Sequence, residues 1–444
     1  MSEPPLQQAI DKAGSPIKLL WKPGPMEWIP PVVPAEFVGW RQEQTATFRT
    51  ASLADLSHHM DDLFIDGPDA KRLLAENTVN NYDQFVVGQA KQLVAVTQRG
   101  MLVNDCIVTK EGEESYTMVG SVPAQTWIRY HAATGDYNVT LKRDPGSGVR
   151  GGGDPVLFRY QLQGPNAIEI AERTFDKPIP ETKFFHLAHV ELGGRNFRAL
   201  RHGMAGQPGF EFIGNYEDGE YVREALLKAG EPLGLLQMGA NAYPTTGVES
   251  GWLAVPPPAI YTDPELKPYR EWLSLYSFEG QFPFLNGSFY SENIEDYYVT
   301  PWEAGYGRLI SFDHDFVGRD ALLDSKDSVH RTKVTLELNP DDLAAELGPD
   351  FDFRSSHVKN RIEADGEVVG MTYFVNNVDR IGTLLALSIV DTAHSEVGTE
   401  LEVIWGYDPG PTSTDDAPRD FKTLRAQVAP TPYNEFARTG YRAD

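Results

Sequence analysis

A predicted strand that ends in Gly-Pro and leads into a predicted helix occurs twice in this chain, at Gly67-Pro68 and at Gly164-Pro165. The strand and helix run over residues 63–65 and 69–75 at the first turn, and over 157–162 and 167–173 at the second. Pro fixes one backbone angle and Gly permits unusual ones, so each pair marks a sharp change of direction. The repetition predicts two related α+β halves.

The sequence beyond about residue 325 has a different character. Short β-type runs are separated there by Gly, Asp and Asn; they are Lys333–Leu338, Gly366–Phe374, Thr383–Val390 and Glu400–Trp405. Evenly spaced short strands are typical of a small barrel or sandwich. We therefore divide the 444 residues into an α+β region, residues 1–325, and an all-β domain, residues 326–444.

The first forty residues are rich in proline and contain Trp21, Trp28 and Trp40. Closely spaced prolines oppose both helices and central strands. We expect an extended arm that packs on the body through its tryptophans. A second irregular segment, Gly146–Asp154, contains five glycines and is predicted to be the most flexible loop.

Charge and cysteine content restrict the function. The chain has 39 basic and 64 acidic side chains, a formal net charge of −25, which disfavours nucleic acid and anionic membranes as partners. No apolar run approaches the ~18 residues of a membrane span, and the N-terminus lacks the apolar stretch of a signal peptide. Cys106 is the single cysteine, so we expect no internal disulfide and a cytoplasmic location.

One local pattern suggests a metal site. His58-His59 is followed closely by Asp61-Asp62. On a strand, adjacent side chains point to opposite faces, so both histidines cannot easily bind one ion. The pattern favours one packed and one exposed histidine, and we predict no metal.

Longer motifs are informative in combination. In chain order they are residues 55–70 around Ser-His-His-Met, residues 99–110 with Asn104-Asp105, Gln161–Ala167, Arg201–Glu211 and Asp315–Leu322. In this order and spacing they resemble the folate-dependent aminomethyltransferases, the family of the glycine-cleavage T-protein. The resemblance implies a three-part fold, with two α+β units around a central opening followed by a C-terminal β-barrel. It also implies an enzyme that uses tetrahydrofolate as co-substrate.

Within that family the chain is most similar to the aryl-ether demethylases of the vanillate and 3-O-methylgallate type. The shared strings are Ser57–Met60, Ala90–Gln92, Tyr130–Ala132, Arg201–Gly206, Ala242–Pro244, Glu249–Trp252 and Asn293–Tyr298. These enzymes remove a methyl group from an aromatic ether. We therefore expect a small aromatic ether as the second substrate.

The resemblance assigns roles to individual residues. Glu211 matches the glutamate that binds the pterin, and Asp105 and Gln163 fall in its other folate-binding motifs. A carboxylate suits the pterin because it accepts two parallel, charge-assisted hydrogen bonds. Without the resemblance, Glu211 and Asp105 would be interpreted as exposed strand residues.

The resemblance also implies the residues next to the ether. It places His59 beside the ether oxygen and Tyr243 against the substrate, and both side chains can move a proton. Asp61 would share a strand face with His59, and we hypothesise that it keeps His59 protonated. The alternatives are a packed aromatic for Tyr243 and a surface charge for Asp61.

Two departures from the vanillate type concern the substrate. Trp28 and Pro30 replace two tyrosines of the arm, and Ser121 replaces the arginine that binds the substrate carboxylate. A carboxylated arene that binds through this arginine would lose its bidentate contact in this chain. We therefore expect a neutral arene with Trp28 as a stacking wall.

The neutral pocket resembles the sesamin-metabolising enzymes and favours removal of a methylenedioxy bridge. The products would be a catechol and 5,10-methylenetetrahydrofolate. The alternative is O-demethylation of a methyl ether to a phenol and 5-methyltetrahydrofolate. Further alternatives are transfer from a small amine or sulfonium, and a non-catalytic folate-binding module.

Overall fold

The computed structural model describes residues 3–254, 256–349, 351–414 and 417–440. Its strands are β1 (Ala51–Asp55), β2 (Asp61–Asp66), β3 (Ala90–Val96), β4 (Leu102–Lys110), β5 (Ser115–Gly120), β6 (Thr140–Asp144), β7 (Leu157–Gln163), β8 (Leu187–Leu192), β9 (Arg195–Leu200), β10 (Gly209–Asn215), β11 (Leu235–Met238), β12 (Arg331–Leu338), β13 (Ser355–Ser356), β14 (Arg361–Ala364), β15 (Glu367–Val378), β16 (Thr383–Asp391), β17 (Glu400–Trp405) and β18 (Lys422–Ala429).

Ten of the twelve α-helices in the described residues end before residue 330. The twelve are α1 (Leu6–Ala13), α2 (Pro16–Leu20), α3 (Trp40–Arg49), α4 (Ala70–Asn77), α5 (Val122–Thr134), α6 (Ala167–Thr174), α7 (Gly219–Gly230), α8 (Lys267–Trp272), α9 (Phe278–Gln281), α10 (Arg319–Ser325), α11 (Pro340–Leu347) and α12 (Glu435–Thr439). Within the described ranges, no helix is both long and apolar enough to cross a membrane.

Two of the sheets repeat one topology. The first has the order β3-β4-β5-β2-β6, and the second has β8-β9-β10-β7-β1-β11. In each, a three-strand meander lies against the strand that carries the Gly-Pro turn, and α4 or α6 follows that turn. The prediction of two related α+β halves is confirmed. Strand β1 precedes the first α+β unit in sequence but lies in the second sheet, so it connects the two α+β units.

The Gly-Pro turns require glycine for steric reasons. Gly67 and Gly164 have φ angles of +140° and +134°. A Cβ atom on Gly67 would lie 2.4 Å from the carbonyl oxygen of Asn138, and one on Gly164 would lie 2.6 Å from that of Thr50. Each strand therefore passes directly into its helix along a path that only glycine allows.

The third sheet confirms the predicted C-terminal barrel. Its strands run β15-β14-β17-β18-β12-β16, and β16 pairs again with β15, which closes a six-stranded barrel. β13 pairs with β15 outside the ring. Tyr373 and Leu387 of the barrel share an apolar core with the first α+β unit. The domain boundary at residues 325/326 stays a prediction.

The predicted arm needs one correction. Residues 6–13 and 16–20 are helical, although we expected the first forty residues to be extended. Pro16 lies in the first helical turn, where its missing N–H is not needed, and the Ser15 hydroxyl accepts from the N–H of Lys18. Trp21 and Trp40 are buried as expected, whereas Trp28 is 40% exposed.

Candidate active site

A cavity of about 1840 Å³ lies between the two α+β units, the barrel and the arm. Seven of the eight predicted site residues line it: Trp28, His59, Asp61, Asp105, Ser121, Glu211 and Tyr243. Gln163 does not appear in the lining. The sequence motifs, which are far apart in the chain, therefore meet in one large space.

Three aromatic side chains form one wall of the cavity. The ring centroids of His59 and Tyr243 are 4.7 Å apart, and those of Trp28 and His59 are 5.4 Å apart in an edge-to-face arrangement. Trp28 and Tyr243 are 6.3 Å apart. Edge and tilted contacts of this kind are favourable between aromatic rings. Trp28, His59 and Tyr243 are called the aromatic wall below.

His59 is neutral in this environment. Burial, together with the neighbouring His58, lowers the pKa of His59 to about 3. Both ring nitrogens are buried and have no hydrogen-bond partner among the described residues. A neutral imidazole carries one N–H donor and one acceptor, so His59 presents both to a ligand.

The predicted partnership of Asp61 with His59 is wrong. His59 lies in a turn before β2, so the face-sharing rule for strands does not apply to it. Asp61 instead forms an ion pair with Arg143, with 2.7 Å between nitrogen and oxygen. Burial raises the pKa of Asp61, and Arg143 opposes that rise. Asp61 therefore positions Arg143 at the cavity wall and does not hold a proton on His59.

Tyr243 keeps its phenol proton and has a weak partner. Burial, and to a smaller extent the Glu211 carboxylate, raises the pKa of Tyr243. Its hydroxyl donates to the Met204 sulfur at 3.0 Å. Thioether sulfur is a weak acceptor, so a ligand oxygen can replace it as the acceptor at little cost.

Glu211 belongs to a buried ionic chain. Arg159 donates to the Glu211 Oε1 atom at 2.6 Å and to the Asp62 Oδ1 atom at 2.6 Å. All three side chains are at most 6% exposed. Arg159 fixes the Glu211 carboxylate, and Glu211 also lines the cavity. Sequence reasoning missed Arg159 because it lies in an ordinary strand, β7, outside the quoted motifs.

An aromatic surface and a second histidine accompany Glu211. The rings of Phe184 and Phe185 stack at 4.3 Å between centroids, and both line the cavity. His202 also lines it, and its buried Nδ1 atom has no partner within the described parts of the chain. Burial lowers the pKa of His202. These three residues, two of them outside the quoted motifs, were not predicted.

Asp105 lines the cavity but is already well bound. Its carboxylate accepts from the Gln92 amide at 2.8 Å, the Trp252 indole at 2.9 Å and the Tyr306 hydroxyl at 3.2 Å. Burial raises the pKa of Asp105, and these hydrogen bonds oppose the rise. Most of the lone pairs of the Asp105 carboxylate are in use. Asp105 therefore holds β4 and the three donor side chains in place.

Gln163 is engaged by the chain itself, and its contact with folate stays a prediction. Its side-chain oxygen accepts from the N–H of Ala205 at 2.9 Å, and the residue is 5% exposed. A Cβ atom on Gly203 would lie 2.4 Å from that oxygen. Gln163 therefore shapes the loop that carries His202 and Met204.

The wall around Ser121 retains positive charge. Arg129 and Arg143 both line the cavity there. Arg143 is paired with Asp61, whereas Arg129 stacks on Trp272 at 5.8 Å and forms no ion pair in the described ranges. The Ser121 hydroxyl is buried without a partner among those residues. The loss of arginine at position 121 has therefore not removed cations from this wall.

The glycine-rich loop contacts the histidine pair. The Ser147 N–H donates to the His58 carbonyl at 2.7 Å, and the Ser147 hydroxyl lies 3.0 Å from His58 Nδ1. Both histidines line the cavity, and His58 also contacts the loop. Across the described residues, no group of three or more His, Cys, Asp or Glu side chains is arranged to hold a metal ion.

Comparison with known proteins identifies the family. Residues 25–257 match the family described as GCVT N-terminal domain. The crystal structure of glycine cleavage system aminomethyltransferase T from Bartonella henselae superposes with a TM-score of 0.63 at 18% identity, covering 96% of each chain. The fold and the sequence match agree. The chain belongs to the GCVT family.

Three relatives narrow the class of enzyme. Syringate O-demethylase of Sphingobium sp. SYK-6 is 37% identical and covers 98% of this chain and 97% of its own. Sesamin methylene transferase of Sinomonas sp. is 28% identical over 91% of each chain. An aminomethyltransferase of Listeria monocytogenes is 25% identical over 91% of this chain and 92% of its own. The prediction of a one-carbon transferase with tetrahydrofolate as co-substrate is confirmed.

The residues of the cavity fit tetrahydrofolate. A fixed carboxylate on Glu211 suits the N–H donors of a pterin. The His202 Nδ1 atom, which has no partner among the described residues, lies in the same cavity. Phe184 and Phe185 offer flat faces beside them. When bound, tetrahydrofolate supplies the nucleophilic nitrogen that accepts the one-carbon unit.

Proposed function

We propose that this enzyme transfers the methyl group of an aromatic methyl ether to tetrahydrofolate and releases a phenol. The observation that carries this proposal is the position of the aromatic wall, Trp28, His59 and Tyr243, in the same cavity as the Glu211 carboxylate. An arene stacked on this wall and a pterin bound by Glu211 would be neighbours. Such positioning contributes about 7–11 kcal/mol to reactions of this kind.

The chain supplies hydrogen bonds for the departing oxygen. An aryl ether reacts slowly because phenoxide is a reluctant leaving group. The His59 N–H and the Tyr243 hydroxyl are both proton-bearing at neutral pH and lie on the same wall. Preorganised donors at a developing oxyanion in a dry cavity are effective catalysts. His59 can also accept a proton at its other ring nitrogen, so one residue can take a proton and deliver one.

The arm covers one side of the aromatic wall. Trp28 lies against His59, and the arm is attached to the barrel by an ion pair between Glu27 and Arg354 and by a hydrogen bond from the Ser356 hydroxyl to the Met26 carbonyl. A ligand bound between the arm and the wall would displace water there, which strengthens hydrogen bonds to its oxygen.

Methyl transfer is preferred to methylene transfer for two reasons. Of the two aryl-ether relatives, the O-demethylase has the higher identity. The cavity near Ser121 is also lined by Arg129 and Arg143. Because these cations are present, the replacement of arginine by Ser121 does not by itself indicate a neutral arene. Removal of a methylenedioxy bridge remains the second candidate, favoured by Trp28 and Ser121. A small amine suits the large aromatic cavity poorly.

Product analysis distinguishes the two candidates. The enzyme is incubated anaerobically with tetrahydrofolate and either syringate or a methylenedioxybenzene, and the products are identified by mass spectrometry. We expect a phenol and 5-methyltetrahydrofolate from the methyl ether. A catechol and 5,10-methylenetetrahydrofolate from the methylenedioxy compound alone would favour the second candidate and overturn the first.

A further inference from the structure

The cavity continues past Ser121 onto a row of aromatic side chains that the proposed reaction does not use. The end of α8 and the segment through α9 contribute them, and all line the cavity: Trp272, Tyr276, Phe278, Phe282 and Phe284. These five residues are called the aromatic shelf. Nothing in the quoted motifs or in the chemistry of methyl transfer requires aromatic residues at these positions.

The shelf is unusually open to solvent for its composition. Trp272 is 39% exposed, Tyr276 is 64% exposed and Phe282 is 41% exposed. The rings of Phe278 and Phe282 stack at 5.2 Å, and those of Phe282 and Phe284 are 6.1 Å apart. An exposed apolar patch that is continuous with a ligand cavity is typical of a binding surface.

A short series of contacts connects the shelf to the aromatic wall. Asp61, two residues after His59, pairs in register with Gly120 across β2 and β5. Ser121 follows at the start of α5, and Arg129 on the same helix lies over the Trp272 ring at 5.8 Å. Ser121 lines the same cavity as the wall and the shelf, and its side chain fills less of that space than an arginine would.

The size of the cavity supports a second ligand of more than one ring. Sites for a drug-sized molecule are about 300–1,000 Å³. The cavity of this enzyme is about 1840 Å³. Tetrahydrofolate is one molecule of that size, and a single methoxylated ring would leave the shelf empty.

We propose that the aromatic shelf binds the second ring of a two-ring aromatic ether whose first ring lies on the aromatic wall. This inference rests on the proposed function, because it names the substrate class of the same site. Flat aromatic faces suit an uncharged aryl group. The Arg129 guanidinium above Trp272 adds a cation that favours an electron-rich, oxygen-substituted ring.

The test compares two ligands that differ by one ring. These are 2-methoxyphenol and 4-benzyl-2-methoxyphenol, with Kd measured by calorimetry on the full chain without folate. We expect the benzyl compound to bind at least tenfold more tightly, which corresponds to about 1.4 kcal/mol. Phe282→Ala should reduce that preference to about twofold. Tyr221→Ala removes a similarly exposed aromatic ring outside the cavity and should keep the full preference.

Several results would overturn the proposal. Equal Kd values for the two ligands, or no binding of either, would do so. An unchanged preference for the benzyl compound in Phe282→Ala would also overturn the proposal. The same holds if Phe282→Ala changes the Kd of tetrahydrofolate and leaves that preference unchanged. If Phe282→Ala dissociates a dimer in sedimentation while the Kd values stay the same, the shelf binds a second copy of the chain. Trp272→Ala is the second variant if Phe282→Ala does not fold.

Turnover separates this proposal from the proposed function. If 2-methoxyphenol is demethylated and the benzyl preference is absent, the shelf inference fails and the proposed function stands. If neither compound is demethylated but Phe282→Ala abolishes the benzyl preference, the proposed function fails and the shelf remains a ring-binding site. The two failures are thus distinguishable.

Discussion

The ring centroids of His59 and Tyr243 lie 4.7 Å apart at an angle of 56° in the wall of the large cavity. The two residues are 184 positions apart in sequence (243 − 59), one in the turn before β2 and the other after β11. Both keep a proton at neutral pH, and neither has a strong hydrogen-bond acceptor for it in the described structure. A departing oxygen can therefore accept hydrogen bonds from both donors.

Replacing His59 tests its part in proton delivery. His59→Ala should reduce kcat by about 10²–10⁴, the usual effect of a positioned proton donor, while the Kd of tetrahydrofolate changes little. His189→Ala, an exposed histidine on β8, is the control and should have no effect. Because the pKa of His59 is about 3, the kcat/KM profile should show no ionisation of His59 between pH 5 and 8. Unchanged turnover would remove His59 from the mechanism.

Glu211→Gln tests the pterin site. The amide keeps the shape but loses the charge that strengthens hydrogen bonds from N–H donors. The loss of a charged acceptor is worth about 1.5–3 kcal/mol, so the Kd of tetrahydrofolate should rise about 10- to 100-fold in calorimetry. The control is Glu169→Gln, which changes an exposed glutamate that pairs with Arg173. A Kd that is the same as that of the unmodified enzyme would place the pterin elsewhere.

Arg159→Met tests the buried ionic chain. The change leaves Asp62 and Glu211 buried without their shared cation, which typically costs about 3–5 kcal/mol. The free energy of unfolding, measured in urea, should fall by that amount. Arg173→Met breaks an exposed pair on α6 and should cost no more than about 1 kcal/mol. Equal effects of the two substitutions would show that the buried chain contributes no more to stability than an exposed pair.

Ser121→Arg tests the substrate anchor. A guanidinium at this position should raise kcat/KM for benzoate-type ethers relative to neutral ones, because it can bind a carboxylate bidentately. Ser121→Gln adds bulk without charge and serves as the control. If benzoate-type substrates gain nothing from arginine, the interpretation of position 121 as the anchor point is wrong.

The fold was predictable because its signals are local. The two Gly-Pro turns identify the repeated units, since Gly67 and Gly164 sit where any Cβ atom would clash with backbone. The alternation of short strands after residue 330 identifies the barrel. The helices at residues 6–20 were missed because the nearby prolines are compatible with a first helical turn, as at Pro16.

The site was predictable where a motif, or a departure from the family pattern as at Trp28 and Ser121, marks it. Glu211, His59 and Tyr243 lie in matched motifs, and all three line the cavity. Arg159 and Phe185 lie outside those motifs, and only the pairing of β7 with β10 brings Arg159 to Glu211. The Asp61–His59 pairing failed because it assumed a strand where the chain makes a turn. Gln163 shapes the loop before β10, and its contact with folate stays a prediction.

Transfer of a labelled methyl group tests the central claim most directly. The enzyme is mixed anaerobically with tetrahydrofolate and an aromatic ether whose methyl carbon is ¹³C, and the label is followed by NMR. The account predicts that the ¹³C signal moves from the ether to the N5-methyl group of folate as the phenol appears in equal amount. A label that stays on the arene, or leaves as formaldehyde without entering folate, would contradict it.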